Sequence, residues 1–263
     1  MCKFTKITHL LFLLFGIFLI SIVFVNPLGE FALNDDWFYV DAVKRFSLHG
    51  FTMGNWITPS LIGQVLYAKL FTSLFGFSLS VLRLSTLLLS GVGMLFFYLL
   101  LRALQLPHQK VFFISLLLFF NPLFFHLSFT FMTDIPALAF AIVGLYFYKK
   151  GFLFWQEKYL WFAHLCIIYA GMIRQNYLVL LLIFAFIFVF EKRKSFSVLL
   201  VAKAFLPLAF AFVLVSSFQY LHWWPQRGFS LHTLEFNENF FIHLVRQTFF
   251  LVQYMALFLA PFL

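Results

Sequence analysis

Long apolar runs separated by short polar segments recur along the whole chain. A helix needs about 20 apolar residues to cross the hydrocarbon core of a bilayer. The runs do not alternate between polar and apolar residues, as the strands of a membrane barrel do. Helices also satisfy their own backbone hydrogen bonds in lipid. The pattern predicts an all-α integral membrane protein, a polytopic helical bundle of about eight transmembrane helices. The predicted spans are roughly 8–26, 79–101, 111–127, 135–148, 159–173, 177–190, 197–219 and 241–261.

The first apolar run has the features of a signal peptide, because Lys3 and Lys6 precede it. The run is long, however, and the segment 26–30 that follows it lacks a small-x-small cleavage site. We therefore predict an uncleaved first span. The whole of 1–263 is expected to form a single transmembrane domain.

The segment 28–78 is predicted to be the first external loop and to contain interfacial helices. Phe38, Ala42 and Phe46 recur at helical spacing, which favours a helix lying in the membrane interface. The second helix of this loop, 61–75, is apolar and is predicted to be interfacial or re-entrant. Residues 56–60 are predicted to separate the two helices.

Charge is sparse and unevenly distributed along the sequence. Charged residues make up 10% of the chain, hydrophobic residues make up 63%, and the net charge is +9. If the N-terminus is cytoplasmic, the tight Lys/Arg clusters fall on the cytoplasmic side, as the positive-inside rule requires. The basic charge is then explained by topology, and we expect no nucleic-acid partner. All four aspartates fall on the external side, which predicts a functional surface there.

Several kinds of chemistry find no support in the sequence. Cys2 and Cys166 are far apart and indicate neither a disulfide nor a metal site. The Gly-Val-Gly stretch at 91–93 is typical of close helix packing and not of a nucleotide loop. With no Walker or Rossmann motif present, we expect no nucleotide cofactor.

Two groups of carboxylates are the candidates for catalysis. Asp35 and Asp36 follow the first span, and Asp134 lies in the second predicted external loop, two residues before Pro136. All three residues have a simpler explanation as helix caps. Alternatively, they divide the roles of base and ligand, or share a metal ion.

Three arginines are the candidates for binding a phosphate. Arg83 lies near the external end of its span and either extends to the interface or directs its guanidinium at a phosphate. Arg174 lies in a very short external turn, where a positive charge runs against the topology rule. Arg227 lies among tryptophans and is either a headgroup anchor or an acceptor-site residue.

An ordered set of motifs gives the chain a family resemblance. The set comprises the acid pair with its following tyrosine, Phe-Gly followed by an arginine, and an acid in the second loop. In this order the chain resembles the GT-C glycosyltransferases of the protein O-mannosyltransferase and aminoarabinose-transferase type, family 39 and its bacterial relatives. The residues that carry the resemblance are Asp35, Asp36, Tyr39, Asp41, Pro59, Phe75, Gly76, Arg83, Thr133, Asp134 and Pro136, and it covers roughly 1–190.

The resemblance implies an enzyme that transfers a sugar from a polyprenyl-phosphate donor to a glycan, lipid or protein acceptor. Asp35 would be the base, Asp36 the second acid, and Asp134 would help Asp35 to hold a divalent cation (Mg, Mn or Zn). Substrate binding would fall to Tyr39 and to the phosphate-binding candidates Arg83, Arg174 and Arg227. The reaction would invert the anomeric centre. We expect a bacterial inner (plasma) membrane location, with membrane lipids around the chain and the active site external.

Two departures from the family leave other functions open. Ile57-Thr58-Pro59 lacks the lysine that some relatives carry before this proline, and the chain ends in an apolar run at Leu263. The C-terminal part of the usual fold is therefore expected to be missing. The alternatives are a transporter or flippase of a lipid or small solute, and an inactive fragment. Transporters tend to place ionisable groups near the bilayer midplane, whereas these acids lie in loops.

Overall fold

The computed structural model describes residues 2–33, 35–50, 61–154, 156–193 and 197–220, together with residues 245, 246 and 249. The chain divides into two compact units, 1–225 and 226–263. The described part of the first unit consists of helices and short connections, which confirms the all-α prediction. Its helices are α1 Cys2–Val25, α2 Asp36–His49, α3 Ile62–Phe75, α4 Leu79–Ala103, α5 His108–Phe119, α6 Pro122–Ser128, α7 Asp134–Phe154, α8 Glu157–Ile173, α9 Val179–Glu191 and α10 Val198–Tyr220, and a 3-10 helix, Gln175–Leu178, precedes α9.

Three described helices are long and apolar enough to cross a membrane: Leu79–Ala103, Asp134–Phe154 and Val198–Phe218. The bent pair of α5 and α6 makes a fourth if it is counted as one span. Helical segments also cover the shorter predicted spans near the N-terminus and before residue 191. The predicted number of about eight spans is not confirmed. Of the last predicted span, 241–261, only three positions are described, and 56–60 and Arg227 lie outside the described residues.

The predicted span 111–127 is divided between two helices, α5 and α6, with a bend of 66° between them. The side chain of Asn121 accepts hydrogen bonds from the backbone N–H groups of Leu123 and Phe124, at 3.1 and 3.3 Å. Pro122 follows at the first position of α6. An N-cap asparagine followed by proline starts a new helix, so the chain changes direction here.

Small residues let the central helices α4, α7 and α8 pack closely. A Cβ atom at Gly93 of α4 would lie 3.2 Å from the Cβ atom of Ala139 in α7. A Cβ atom at Gly144 of α7 would lie 2.7 Å from the Cδ1 atom of Ile167 in α8. Glycines at such positions let two helix backbones approach each other. The expected packing role of the 91–93 stretch is therefore confirmed.

The packing partners also fix the directions of the helices. In α4 and α7, Gly93 lies against Ala139 and Phe96 against Phe147, so the two helices run parallel. In α8 the partners of α7 occur in reverse order, so α8 is antiparallel to α7 and ends where α7 begins. We call this end of the bundle the acidic end. It holds Glu30, Asp35, Asp36 and Asp134, and the opposite, basic end holds Arg102, Lys149, Lys150, Lys158, Lys192 and Arg193.

The first connection contains two helices, as predicted. Helix α2 ends at His49, and its apolar face meets α3 in a small core. That core also includes Leu82 at the start of α4 and Phe131 just before α7. Because four segments share this core, the loop that carries the acid pair is packed onto the acidic end.

Candidate active site at the acidic end

The adjacent aspartates of the acid pair have opposite environments. Asp35 is exposed and occupies the N-cap position of α2, but its side chain makes no capping hydrogen bond. Within the described residues its carboxylate forms no hydrogen bond or ion pair. Asp36 is fully buried, and both of its carboxylate oxygens have partners. The capping explanation therefore does not account for the Asp35 side chain.

A guanidinium one turn inside α4 neutralises the buried carboxylate. Arg83 donates to Oδ2 of Asp36 from Nη2 at 3.2 Å and from Nε at 3.4 Å. The backbone N–H of Leu33 donates to the other oxygen at 2.8 Å. A charge buried without a partner is costly, so the two side chains are mutually dependent.

The remaining donors of Arg83 bind the backbone that leads to the acid pair. Nη1 donates to the carbonyl oxygens of Pro27 and Gly29 at 3.4 and 3.1 Å, and Nη2 donates to that of Phe31. The guanidinium also lies over the Phe31 ring, 5.4 Å from its centroid. Five donors in a fixed plane make arginine suited to such a role. These contacts favour a positioning role for Arg83, and its direct contact with a lipid phosphate stays a prediction.

Glu30 ties the same loop to the first turn of α4. Its carboxylate accepts the backbone N–H of Leu79 at 2.9 Å and both the N–H and the hydroxyl of Ser80, at 3.3 and 3.0 Å. The hydrogen bond from Leu79 lowers the pKa of Glu30 below its ordinary value, outweighing the opposite effect of its slight burial. A carboxylate at a helix N-terminus also interacts favourably with the helix dipole. Local sequence patterns contain no signal for this contact, because Glu30 and Leu79 are 49 residues apart.

A second Arg–Asp pair lies at the same end, between the start of α7 and the end of α8. Arg174 donates to Asp134 from Nη2 and to the Thr133 hydroxyl from Nε, both at 2.8 Å. The Arg174 and Asp134 side chains retain 37% and 34% of their exposure. Asp134 begins α7 as the sequence predicted. This pair is therefore accessible to a ligand, whereas the Asp36–Arg83 pair is not.

The predicted cation site would have Asp35 and Asp134 as its ligands. The part of the chain that the structure describes contains no group of three or more His, Cys, Asp or Glu side chains that could hold a metal ion. Asp134 is also paired with Arg174, whose positive charge opposes a cation. These residues do not form a metal site by themselves. A cation held by Asp35 and Asp134 stays a prediction.

Two other predicted binding residues have different outcomes. Tyr39 is partly buried and packs against the core that α2 shares with α3. Arg227 lies outside the described residues. Gln64 of α3 is fully buried and was not among the predicted site residues. Its Nε2 donates to the carbonyl oxygen of Phe131 at 3.4 Å, and its Oε1 has no partner in the described structure.

Comparison with known proteins supplies the family. A sequence model of the family described as dolichyl-phosphate-mannose-protein mannosyltransferase matches residues 63–223. The matched segment includes Arg83, Asp134 and Arg174, and the acid pair lies before it. No curated protein and no solved structure matched the chain.

The match extends over more than half of the chain and covers helices α4 to α10. The apolar helices and this match together make the chain an integral membrane protein. The chain belongs to the dolichyl-phosphate-mannose-protein mannosyltransferase family and is a membrane glycosyltransferase of the GT-C type.

Proposed function

We propose that this chain transfers a sugar from a polyprenyl-phosphate donor to an acceptor hydroxyl at the acidic end, with Asp35 as the base. The observation that carries the proposal is the contrast within the acid pair. Asp36 is locked in a buried ion pair, while the Asp35 carboxylate is exposed and has no partner in the described structure. An exposed, unpaired carboxylate on a fixed backbone is available to accept a proton.

The proposed reaction is a single displacement at the anomeric carbon. The acceptor oxygen forms a bond to this carbon while its proton passes to the Asp35 carboxylate. The bond between the anomeric carbon and the phosphate oxygen breaks, and its electron pair leaves with the polyprenyl phosphate. Attack from the face opposite the leaving group inverts the anomeric centre. The acceptor is a hydroxyl group on a glycan, a lipid or a protein.

Arg174 is the proposed partner of the donor phosphate. Its guanidinium is partly exposed, and the contacts to Thr133 and Asp134 hold it in place through Nε and Nη2. Charge-assisted hydrogen bonds from arginine suit phosphate oxygens, and they strengthen as the leaving phosphate gains charge. Tyr39 and Arg227 are kept as proposed contacts to the donor or the acceptor.

The proposal includes a membrane arrangement. About eight helices span the bilayer, the basic end faces the cytoplasm, and the acidic end faces outwards, as the positive-inside rule predicts. Trp37 on α2 is half exposed and stacks on Phe38 with ring centroids 3.5 Å apart. Exposed tryptophan is typical of the membrane–water interface. We place the protein in a bacterial inner membrane, with α2 and α3 in the external interface.

The decisive experiment compares two aspartates of the same loop and helix. Asp35→Asn is expected to lower sugar transfer by about 100-fold or more, because a positioned base contributes at least that much. Asp41→Asn is the matched control: the Asp41 side chain on α2 is 45% exposed and, within the described residues, pairs only with Arg45, at 2.6 Å. Mass spectrometry of glycolipids and glycoproteins from cells that lack the native chain would measure the product of each variant.

The outcomes separate the proposed function from its alternatives. Product formed by the unaltered chain and by Asp41→Asn, but not by Asp35→Asn, supports the base assignment. Equal product from Asp35→Asn and the unaltered chain means that Asp35 is not the base. Movement of a lipid or solute that survives Asp35→Asn, without any sugar product, would favour the transporter. No activity from the intact chain, present in the membrane, would favour an inactive fragment.

A further inference from the structure

A groove with a volume of about 660 Å³ opens at the basic end, between helices α4, α7 and α9. Its walls are apolar apart from one Tyr hydroxyl, one lysine and one glutamate. It lies at the opposite end of the bundle from Asp35, so the proposed transfer reaction does not use it. The lining residues are Leu100, Leu104, Leu145, Tyr148, Lys149, Phe152, Leu153, Phe184, Ile187 and Glu191.

One face of α7 forms the main wall of this groove. Its lining residues occupy positions 145, 148, 149, 152 and 153, which is the spacing of a single helical face. Tyr148 stacks on Phe184 of α9 with ring centroids 3.5 Å apart and donates its hydroxyl to the Phe184 carbonyl oxygen at 2.7 Å. This contact holds α7 and α9 in a fixed relation. The groove is therefore formed before any ligand binds.

Lys149 lies on this apolar wall. The predicted end of the span at 148 had implied a position in the following loop. Helix α7 continues to Phe154, so Lys149 is held by helical backbone at the edge of the groove. The next residue, Lys150, is directed elsewhere: its ammonium lies 5.6 and 5.2 Å from the ring centroids of Tyr146 and Tyr159. The positive-inside rule explains basic loops, but it does not explain a lysine beside an apolar groove.

Glu191, at the end of α9, is the acid that lines the groove. Neither Lys149 nor Glu191 forms an ion pair within the described residues. The groove lining thus offers one cation and one anion among apolar side chains. This combination complements a ligand with an apolar chain and a headgroup carrying both charges.

We propose that the groove binds a membrane phospholipid of the phosphatidylethanolamine type. One acyl chain fills the apolar interior, Lys149 binds the phosphate, and Glu191 accepts hydrogen bonds from the primary ammonium. A choline headgroup has no N–H to donate, and a glycerol headgroup offers hydroxyl donors but no positive charge to Glu191. The site therefore selects the zwitterion with a primary amine. The inference is independent of the proposed sugar transfer.

Native mass spectrometry of the full chain tests the headgroup. The purified protein is stripped of lipid and exposed to an equimolar mixture of dioleoyl phosphatidylethanolamine, phosphatidylcholine and phosphatidylglycerol. One molecule of phosphatidylethanolamine is expected to be retained about tenfold more strongly than either competitor, because its ammonium adds a charged hydrogen bond. Glu191→Gln is expected to abolish the preference over phosphatidylcholine, and Lys149→Gln is expected to weaken retention of all three lipids about fivefold.

Matched controls separate a site from general surface charge. Lys150→Gln and Glu157→Gln each remove one charge from the basic end without touching the groove lining. Both are expected to keep the phosphatidylethanolamine preference. Equal losses with Lys149→Gln and Lys150→Gln, or strongest retention of phosphatidylglycerol, would overturn the site. A photo-crosslinker at Leu104 that reacts with this chain's own residues, and not with lipid, would overturn it as well.

Discussion

The two Arg–Asp pairs at the acidic end have the same chemistry and opposite surroundings. Asp36–Arg83 has exposures of 0% and 1% and is surrounded by the chain's own acceptors, whereas Asp134–Arg174 keeps about a third of its exposure. A buried pair has no capacity left for a substrate, and breaking it leaves an uncompensated charge. An exposed pair contributes little to stability and can exchange partners. From this difference in burial we propose a structural role for the first pair and a ligand-binding role for the second.

The largest expected effect comes from breaking the buried pair. Arg83→Met is expected to reduce the free energy of unfolding by about 3–5 kcal/mol, since Asp36 and three backbone carbonyls lose their partner. Arg83→Lys is expected to rescue only part of this loss, because an ammonium lacks the planar fork. Thermal unfolding of the purified variants measures both. If the Arg83→Met protein were as stable as the original, the buried pair would not have the structural role that distinguishes it from the exposed pair.

Substrate affinity should respond to the exposed pair. Arg174→Gln is expected to raise the KM for a polyprenyl-phosphate sugar by about tenfold, because one charge-assisted hydrogen bond to the phosphate is lost. The unfolding temperature is expected to stay close to that of the original. Kinetics with a purified lipid donor provide the measurement. A loss of stability without a change in KM would instead make this pair structural.

Double-mutant cycles compare the coupling free energies of the two Arg–Asp pairs, for which about 1 kcal/mol is the dividing value. Asp134→Asn and Arg174→Gln, alone and combined, are expected to show a coupling in stability of about 1 kcal/mol or less, as for partly exposed pairs in general. The equivalent cycle on Asp36 and Arg83 is expected to give a clearly larger coupling. Equal couplings would show that burial does not distinguish the pairs.

The smallest expected effect concerns the carboxylate that caps α4. The pKa of Glu30 is lowered in the folded protein from 4.5, chiefly by the Leu79 N–H, so its contribution to stability is present above that pH. As the pH falls through the lowered folded pKa, the contribution is lost. The unaltered chain is expected to lose unfolding temperature more steeply below about pH 4.5 than Glu30→Gln does. The unfolding temperatures of both proteins are measured from pH 6 to pH 3. An equal decrease in the two proteins would show that the Glu30 carboxylate does not stabilise the start of α4.

The sequence predicted the helical class, the packing glycines and the local surroundings of several site residues. Asp134 begins a helix and Arg174 lies in a short turn, as predicted. These positions were predictable because helix capping and loop topology depend on neighbouring residues. The two helices of the first loop also followed from apolar spacing. Such features are encoded within a few residues, and local patterns therefore reveal them.

Long-range contacts were not predictable from the same patterns. The sequence does not distinguish the surroundings of Asp35 from those of Asp36. The two differ in the structure because Arg83, 47 residues away in sequence, binds Asp36 alone in a buried ion pair. Lys149 lies just beyond the predicted end of its span at 148, whereas α7 continues to Phe154. The bend at Asn121-Pro122 did have a local signal, an N-cap asparagine with proline next to it, which the long apolar run obscured.

The distance in sequence between Asp36 and Arg83 also sets an order for biogenesis. When the first helix and the acid pair emerge from the ribosome, Asp36 has no counter-ion, because its partner is still 47 residues from being made. The carbonyl oxygens of Pro27, Gly29 and Phe31 also lack their hydrogen-bond donor until this guanidinium has been made. The loop 27–36 can therefore acquire this set of contacts only after the beginning of α4 has been made. The proposed active site accordingly depends on a residue that is synthesised after the acid pair.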